Sequence, residues 1–231
     1  MRAMILAAGR GERMRPLTDN VPKPLLSAGG KPLIVWHIER LVRAGITEIV
    51  INHAWLGHML ESALQNGEQF GARITYSPEP AALETAGGIA RALSFFNDEP
   101  FLVVNGDIWC DWDPCAAVQL GRSLQNRHKL AWLLLTDNPG HHAQGDFILD
   151  ACGQVSDRTA SGQCASLTFT GIGVYLPMLF ESLEKNRAAP LAPLLRTAMS
   201  KKQVIGGHYN GVWVDVGTPE RLSALDASLR R

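Results

Sequence analysis

The run Ala3-Met4-Ile5-Leu6-Ala7-Ala8 is apolar throughout and stops at Gly9. A strand with no polar alternation has both faces covered, as in a parallel sheet held between two layers of helix. The segments that follow keep that rhythm. Pro32–Ala44 reads as a helix, with Pro32 in its first position and Gly45 just beyond its end. Glu48–Asn52 is a second strand, Leu56–Gln65 a helix, Arg73–Ser77 a third strand, Thr85–Phe95 a helix and Phe101–Asn105 a fourth strand. This alternation predicts an α/β fold, a Rossmann-like and mostly parallel sheet flanked by helices.

After Asp113 the pattern changes. A helix at Ala116–Gln125 leads to a strand at Leu130–Thr136, and then Asp146–Leu149, Gln154–Ser156 and Leu167–Tyr175 read as a small antiparallel insertion. Helices are expected at Pro177–Glu184 and Pro190–Ser200, and strands at Gln203–His208 and Gly211–Asp215. The last helix begins at Thr218-Pro219-Glu220, with Thr218 as its cap and Pro219 at the first turn. No repeat, linker or low-complexity stretch divides the chain, so residues 1–231 are expected to form one domain.

The 231 residues carry 22 basic and 22 acidic side chains, and this zero balance argues against a general nucleic-acid binder. A hydrophobic share of 46% against 19% charged argues against disorder. No apolar run approaches the roughly 20 residues of a membrane span, and the N-terminal run is too short for a signal peptide. A cytoplasmic location with no membrane partner is expected. Cys110, Cys115, Cys152 and Cys164 have neither zinc-site spacing nor disulfide-scaffold density and read as buried or half-buried thiols.

Ligands of open α/β sheets bind beyond the carboxyl ends of the strands. After the first strand comes Gly9-Arg10-Gly11-Glu12-Arg13-Met14-Arg15-Pro16-Leu17-Thr18, a glycine loop with three arginines. Glycine lets backbone N–H groups approach phosphate oxygens, and guanidinium groups bind those oxygens in pairs. Met14 stands where a dinucleotide fingerprint needs its third glycine, and Gly29-Gly30-Lys31-Pro32 lacks the Ser or Thr of a Walker loop. Val21-Pro22-Lys23-Pro24 then fixes a lysine between two prolines, beside the loop. Asp107 follows the fourth strand, and Asp215 ends the last one.

Leu6-Ala7-Ala8-Gly9-x-Gly11-x-Arg13-x-x-Pro16-Leu17-Thr18, followed by Pro22-Lys23-Pro24-Leu25, resembles the signature of the sugar-1-phosphate nucleotidylyltransferases. The resemblance continues through Glu84-Thr85-Ala86-Gly87-Gly88, Asn105-Gly106-Asp107 and Trp213-Val214-Asp215-Val216-Gly217-Thr218-Pro219, and so covers nearly the whole chain. Within the family, Ile51–Gly57, Leu83–Thr85, Asp137–His142 and Gly145–Phe147 are most similar to the branch that uridylylates N-acetylmuramate 1-phosphate in bacterial cell-wall recycling.

The resemblance implies a role for each matching residue. Arg13, Lys23 and Asp107 would carry the chemistry. Ala8, Gly9, Gly11, Glu12, Arg13, Lys23, Glu79, Thr85 and Gly88 would bind the nucleotide, UTP. The sugar 1-phosphate would meet Asn105, Gly145, Asp146, Thr170 and Gly171, and Asp107 with Asp215 would hold Mg²⁺. Arg10 and Arg15 read equally well as solvated loop cations, Glu79 as a turn carboxylate, and His141-His142 as loop residues near the sugar. Asp111-x-Asp113 imitates a glycosyltransferase D-x-D, although Asp113 before Pro114 is a better helix cap.

Two departures from the family stand out. Asp146–Ala160 contains no lysine to match the E-K-P motif of many relatives, and Arg158 is the only cation there. No left-handed β-helix is expected after Pro219, hence no acetyltransferase activity. Alternatives are thymidylyl, guanylyl or cytidylyl transfer to glucose, mannose or N-acetylglucosamine phosphate, and a catalytically silent nucleotide-sugar sensor. A sensor would have no need of Arg13, Lys23, Asp107 and Asp215 together.

Overall fold

In the computed structural model, which describes residues 1–158 and 165–230, the first apolar run becomes β1 (Arg2–Leu6). The chain continues through β2 (Ser27–Ala28), β3 (Lys31–Pro32), α1 (Leu33–Arg43), β4 (Glu48–His53), α2 (Gly57–Leu64), β5 (Arg73–Pro78) and α3 (Glu84–Ala92). Then follow β6 (Phe101–Asn105), β7 (Ile108–Cys110), α4 (Ala117–Asn126), β8 (Ala131–Thr136), β9 (Phe147–Leu149) and β10 (Val155–Asp157). The last elements are β11 (Thr168–Tyr175), α5 (Leu191–Ser200), β12 (Val204–Tyr209), β13 (Trp213–Asp215) and α6 (Pro219–Leu229).

Seven strands form the main sheet in the order β12-β8-β11-β6-β1-β4-β5. Only β11 runs against its neighbours, pairing antiparallel with both β6 and β8. The mostly parallel sheet is therefore as expected, but the antiparallel part is distributed differently. β9 and β10 form a separate hairpin, whereas β11 enters the centre of the sheet. Seven of its eight residues are buried, which an edge or surface insertion could not achieve.

Alternate side chains along the strands divide the core, as the two-residue period requires. Ala3, Ile5, Leu102 and Val104 face Ile34, Ile38 and Leu60 of α1 and α2. Met4, Phe101 and Val103 face Ile89 of α3 and Leu195 of α5. Burying each large aliphatic side chain contributes roughly 1.5–3 kcal/mol, so the two layers supply the main driving force. A third cluster joins Met14 in the glycine loop to Leu33, Trp109, Val216, Leu222 and Leu225. It clamps that loop to α6 and to the β7–β13 pair.

Three local expectations need correction. Pro177–Glu184 forms only a short 3₁₀ turn at Pro177–Leu179, not a helix. Pro177 starts the turn, and Phe180 just beyond it is fully buried against Phe101 and Tyr175, which draws the chain into the core. Thr85–Phe95 becomes α3 and a 3₁₀ turn at Leu93–Phe96, which sends Phe96 into the core. Of the cysteines, Cys110 is buried, but Cys115 and Cys152 are exposed on turns built around Asp113 and Asp150. Cys164 lies outside the described residues. No helix among the described residues is long and apolar enough to cross a membrane.

Beneath the ligand edge, His37 of α1 is 4% exposed, and its Nε2 lies 2.8 Å from the carbonyl oxygen of Ile108 in β7. The neutral ring donates this bond. Burial, the largest influence, lowers its pKa from 6.5 to about 4. The unfolded chain therefore takes up a proton below pH 6.5 that the folded chain refuses until about pH 4. Stability is complete above pH 6.5 and falls as the pH drops toward 4, by on the order of 2 kcal/mol at pH 5. Urea denaturation at pH 7 and pH 5 should show this loss in the wild type and a clearly smaller one in His37→Gln.

Candidate active site

The loop after β1 is shaped by a few specific contacts. Gly11 has φ 68°, a left-handed conformation that other residues adopt at a cost. A Cβ there would come within 3.0 Å of Thr18 Cγ2 and 3.2 Å of Lys23 Cβ. Thr18 is fully buried, and its hydroxyl donates to the Gly11 carbonyl oxygen at 2.8 Å, closing the loop. The Arg10 guanidinium lies over the Trp55 ring at 3.6 Å and donates to Thr18 O at 2.9 Å. Arg15 lies 3.2 Å from Asp19. Two of the three arginines thus hold the loop together, and Arg13 is left exposed with no partner among the described residues.

The Pro22-Lys23-Pro24 turn delivers Lys23 to the turn after β6. Its Nζ donates to Asp107 Oδ2 at 2.8 Å, the lysine side chain being 7% exposed and the aspartate 42%. Asp107 also accepts Val216 N–H at its backbone oxygen, at 3.2 Å. That bond carries the β7–β13 ladder, in which Asp215 stands opposite Ile108. Asp107 and Asp215, distant in sequence, are thereby brought to adjacent rungs.

Two cavities meet at this point. The first, about 350 Å³, is lined by Ala8, Gly9, Gly11, Glu12, Arg13, Lys23, Asn52, Thr85, Asn105 and Asp107, among others. The second, about 330 Å³, is lined by His141, His142, Thr170, Gly171 and Asp215, and shares Arg13, Asn105 and Asp107 with the first. Each is large enough for part of a small-molecule substrate. The side-chain amide of Asn105 has no partner among the described residues, which leaves its donors and acceptor for a ligand.

Not every residue singled out from the sequence reaches these walls. Glu79 is 5% exposed; one carboxylate oxygen accepts from Asn52 Nδ2 at 2.7 Å and the other from Leu83 N–H at 2.8 Å. A Cβ on Gly88 would come within 2.7 Å of Glu79 Oε1. Both residues lie behind the lining of the first cavity, where they hold Asn52 and the start of α3. Thr170 is likewise fully buried, its hydroxyl given to Leu134 O at 2.9 Å, and only its backbone remains to face the second cavity. Gly171, at φ 82°, lets Asn105 pack against it; a Cβ would approach Asn105 Nδ2 to 2.6 Å. Gly145 and Asp146 line a third cavity next to the second. Asp111 binds the Tyr209 hydroxyl and Val212 N–H, and Asp113 caps its turn by accepting Cys115 N–H, so neither lines the two cavities.

Sequence reasoning gave no role to two residues that shape the site. Asn52, at the end of β4, accepts Ala7 N–H at 2.9 Å and lines the first cavity. Its place on the ligand edge was a readable signal. Arg221, in the first turn of α6, donates to Asp215 Oδ2 and to Asp215 O, and its NH1 lies 2.9 Å from His141 Nε2. Nothing in its spacing announces this. A glycine loop, a fixed ammonium and a carboxylate where two cavities meet, with Asp215 on the wall of the second, suit the joining of two phosphorylated substrates.

A family model described as nucleotidyl transferase matches residues 2–230. The N-acetylmuramate alpha-1-phosphate uridylyltransferase of Neisseria meningitidis serogroup B is 54% identical over 98% of this chain and 97% of its own. The protein of the same name from Caulobacter vibrioides is 34% identical over 98% of this chain and 96% of its own. Among solved structures, a putative glucose-1-phosphate thymidylyltransferase from Bacillus anthracis superposes with a TM-score of 0.84, covering 100% of this chain and 95% of its own at 22% identity. That last likeness speaks for the fold alone. The chain belongs to the nucleotidyl transferase family.

Proposed function

We propose that this chain, acting as one catalytic domain, transfers the uridylyl group of UTP to N-acetylmuramic acid α-1-phosphate. The products are UDP-N-acetylmuramic acid and pyrophosphate, and the reaction serves peptidoglycan recycling in the cytoplasm, where UTP is made. The single observation that carries this reading is the 54% identity to the Neisseria uridylyltransferase along almost the whole of both chains. The geometry supports it, since two cavities meet at Arg13, Asn105 and Asp107.

In this reading, UTP occupies the first cavity, with its triphosphate over the Gly9 and Gly11 amides. Glu12 and Thr85 border the nucleotide, and Asn52 rather than Glu79 presents the polar group nearest the base. The sugar lies in the second cavity, against Asn105 and Gly171. An oxygen of the sugar phosphate attacks the α-phosphorus; the new P–O bond forms as the bond to the β-phosphate oxygen breaks, and pyrophosphate leaves. No side chain has to remove a proton, because a phosphate monoester with a second pKa of about 6 is mostly dianionic at pH 7. The difficulty is bringing anions together. Lys23 meets it with an ammonium that has three donors, one of them spent on Asp107 and the others without a partner among the described residues. Arg13 adds a guanidinium, without a partner among the described residues, beside the departing pyrophosphate.

Asp107 at the junction and Asp215 on the wall of the second cavity also fit Mg²⁺. Asp107 Oδ1 and Asp215 Oδ1 are hard oxygen donors with no partner among the described residues. The described residues hold no cluster of three or more His, Cys, Asp or Glu that would enclose a metal. Two carboxylates with the remaining positions left open suit a cation that keeps waters and substrate phosphate oxygens. When bound there, the metal would neutralise charge on both phosphates.

Lys23→Ala should lower turnover by on the order of a hundredfold or more, the usual loss when one preorganised charge donor is removed. Pyrophosphate release from UTP and N-acetylmuramic acid 1-phosphate measures it, with circular dichroism to check folding. Chelation should abolish the same release, and added Mg²⁺ should restore it. Tight UDP-sugar binding without turnover for any nucleotide–sugar pair would favour the sensor instead.

A further inference from the structure

The third cavity, about 400 Å³, adjoins the second through His141 and His142, which line both. Two arginines line it from different parts of the chain, Arg158 just after β10 and Arg196 on α5. Neither lines the first or second cavity, so both stand across the histidine pair from Lys23 and Asp107.

The cavity wall carries two guanidinium groups and two carboxylates, Asp146 and Asp157, and what matters is which donors stay open. Asp146 is spent on structure, one oxygen lying 3.0 Å from His142 Nε2 and the other accepting Phe169 N–H at 2.8 Å. Arg196 directs Nε at Asp157, 3.1 Å away, and its two terminal nitrogens have no partner among the described residues. Arg158 donates through NH1 to the backbone and side-chain oxygens of Gln144 at 3.2 and 2.9 Å, and makes no ion pair among the described residues. Each planar guanidinium retains donors in the fork geometry that matches a carboxylate.

We propose that this cavity is a subsite for a carboxylate borne on the sugar, bound by Arg196 and Arg158 with His142 at its entrance. The proposal rests on the uridylyltransferase reading above. N-acetylmuramic acid is N-acetylglucosamine with a lactyl ether, so the two differ by one carboxylate on a short arm. That arm, leaving a sugar seated in the second cavity, enters the third. A carboxylate drawn out of water there must regain its hydrogen bonds from the protein, and the guanidinium groups supply them. The arginines are specificity-determining, and they take no part in the phosphoryl step.

The test is kcat/KM with UTP for N-acetylmuramic acid 1-phosphate and N-acetylglucosamine 1-phosphate, in the wild type, Arg196→Gln, Arg158→Gln and the double variant. Arg196 is 51% exposed in its side chain, so its replacement should leave the fold intact, as thermal melting would check. The expected result is a fall of tenfold or more in the preference for the acidic sugar, greatest in the double variant and partly rescued in Arg196→Lys. The loss should fall on the acidic sugar, with the KM for UTP unmoved. Equal losses on both sugars, or an unaltered preference in an active double variant, would overturn the subsite alone. A wild type that uridylylates neither sugar would overturn the parent reading and the subsite with it.

Discussion

Lys23 and Asp107 meet at 2.8 Å where three segments of the chain converge. Through Lys23 the contact holds the turn after the glycine loop, through Asp107 the turn after β6, and through the Asp107 backbone the end of β13. As a source of stability the pair is modest, because Asp107 is 42% exposed and water screens it; about 1 kcal/mol or less is reasonable. Its value is positional. A nearly buried ammonium is held at the border between two cavities before any substrate arrives, so in the proposed reaction little reorganisation would be needed when phosphates enter.

In the proposed reaction, that border is where electrostatics decides the outcome. Two unit charges 4 Å apart interact by about 4 kcal/mol at the effective dielectric of a protein surface, and two substrate phosphates bring several such charges together. The net charge of the chain is zero, so the protein as a whole offers no compensating field. Compensation has to be local. Arg10 and Arg15 are engaged within the loop by Trp55, Thr18 and Asp19, and among the described residues the cations left facing the junction are Arg13 and Lys23. The arginine-rich appearance of the loop therefore overstates how much of its charge faces a ligand.

The parallel half of the fold was legible because both-face burial leaves a plain mark: unbroken apolar runs separated by helical stretches with proline and glycine at their ends. The centre of the sheet was less so. Nothing local distinguishes β11 as a central antiparallel strand, since that placement depends on its pairing with β6 and β8, far away in sequence. The site shows the same division. Gly9–Thr18, Pro22–Pro24 and Asp107 carry their geometry in short stretches and were readable. Glu79 read as a ligand contact but is buried behind the cavity wall, and Thr170 lines the second cavity with its hydroxyl turned to Leu134; the side-chain polar groups of both are satisfied within the protein. Arg196 and Arg221 were invisible because their meaning comes from the partners that folding brings to them.

The central claim is spatial: nucleotide in the first cavity, sugar in the second, and their phosphates beside Lys23 and Asp107. A crystal structure with UDP-N-acetylmuramic acid and Mg²⁺ tests it most directly. It should place the uridine beside Asn52 and Thr85, the diphosphate within hydrogen-bonding distance of Lys23, and the sugar against Asn105 and Gly171. A diphosphate lying away from Lys23, or a sugar outside the second cavity, would contradict it.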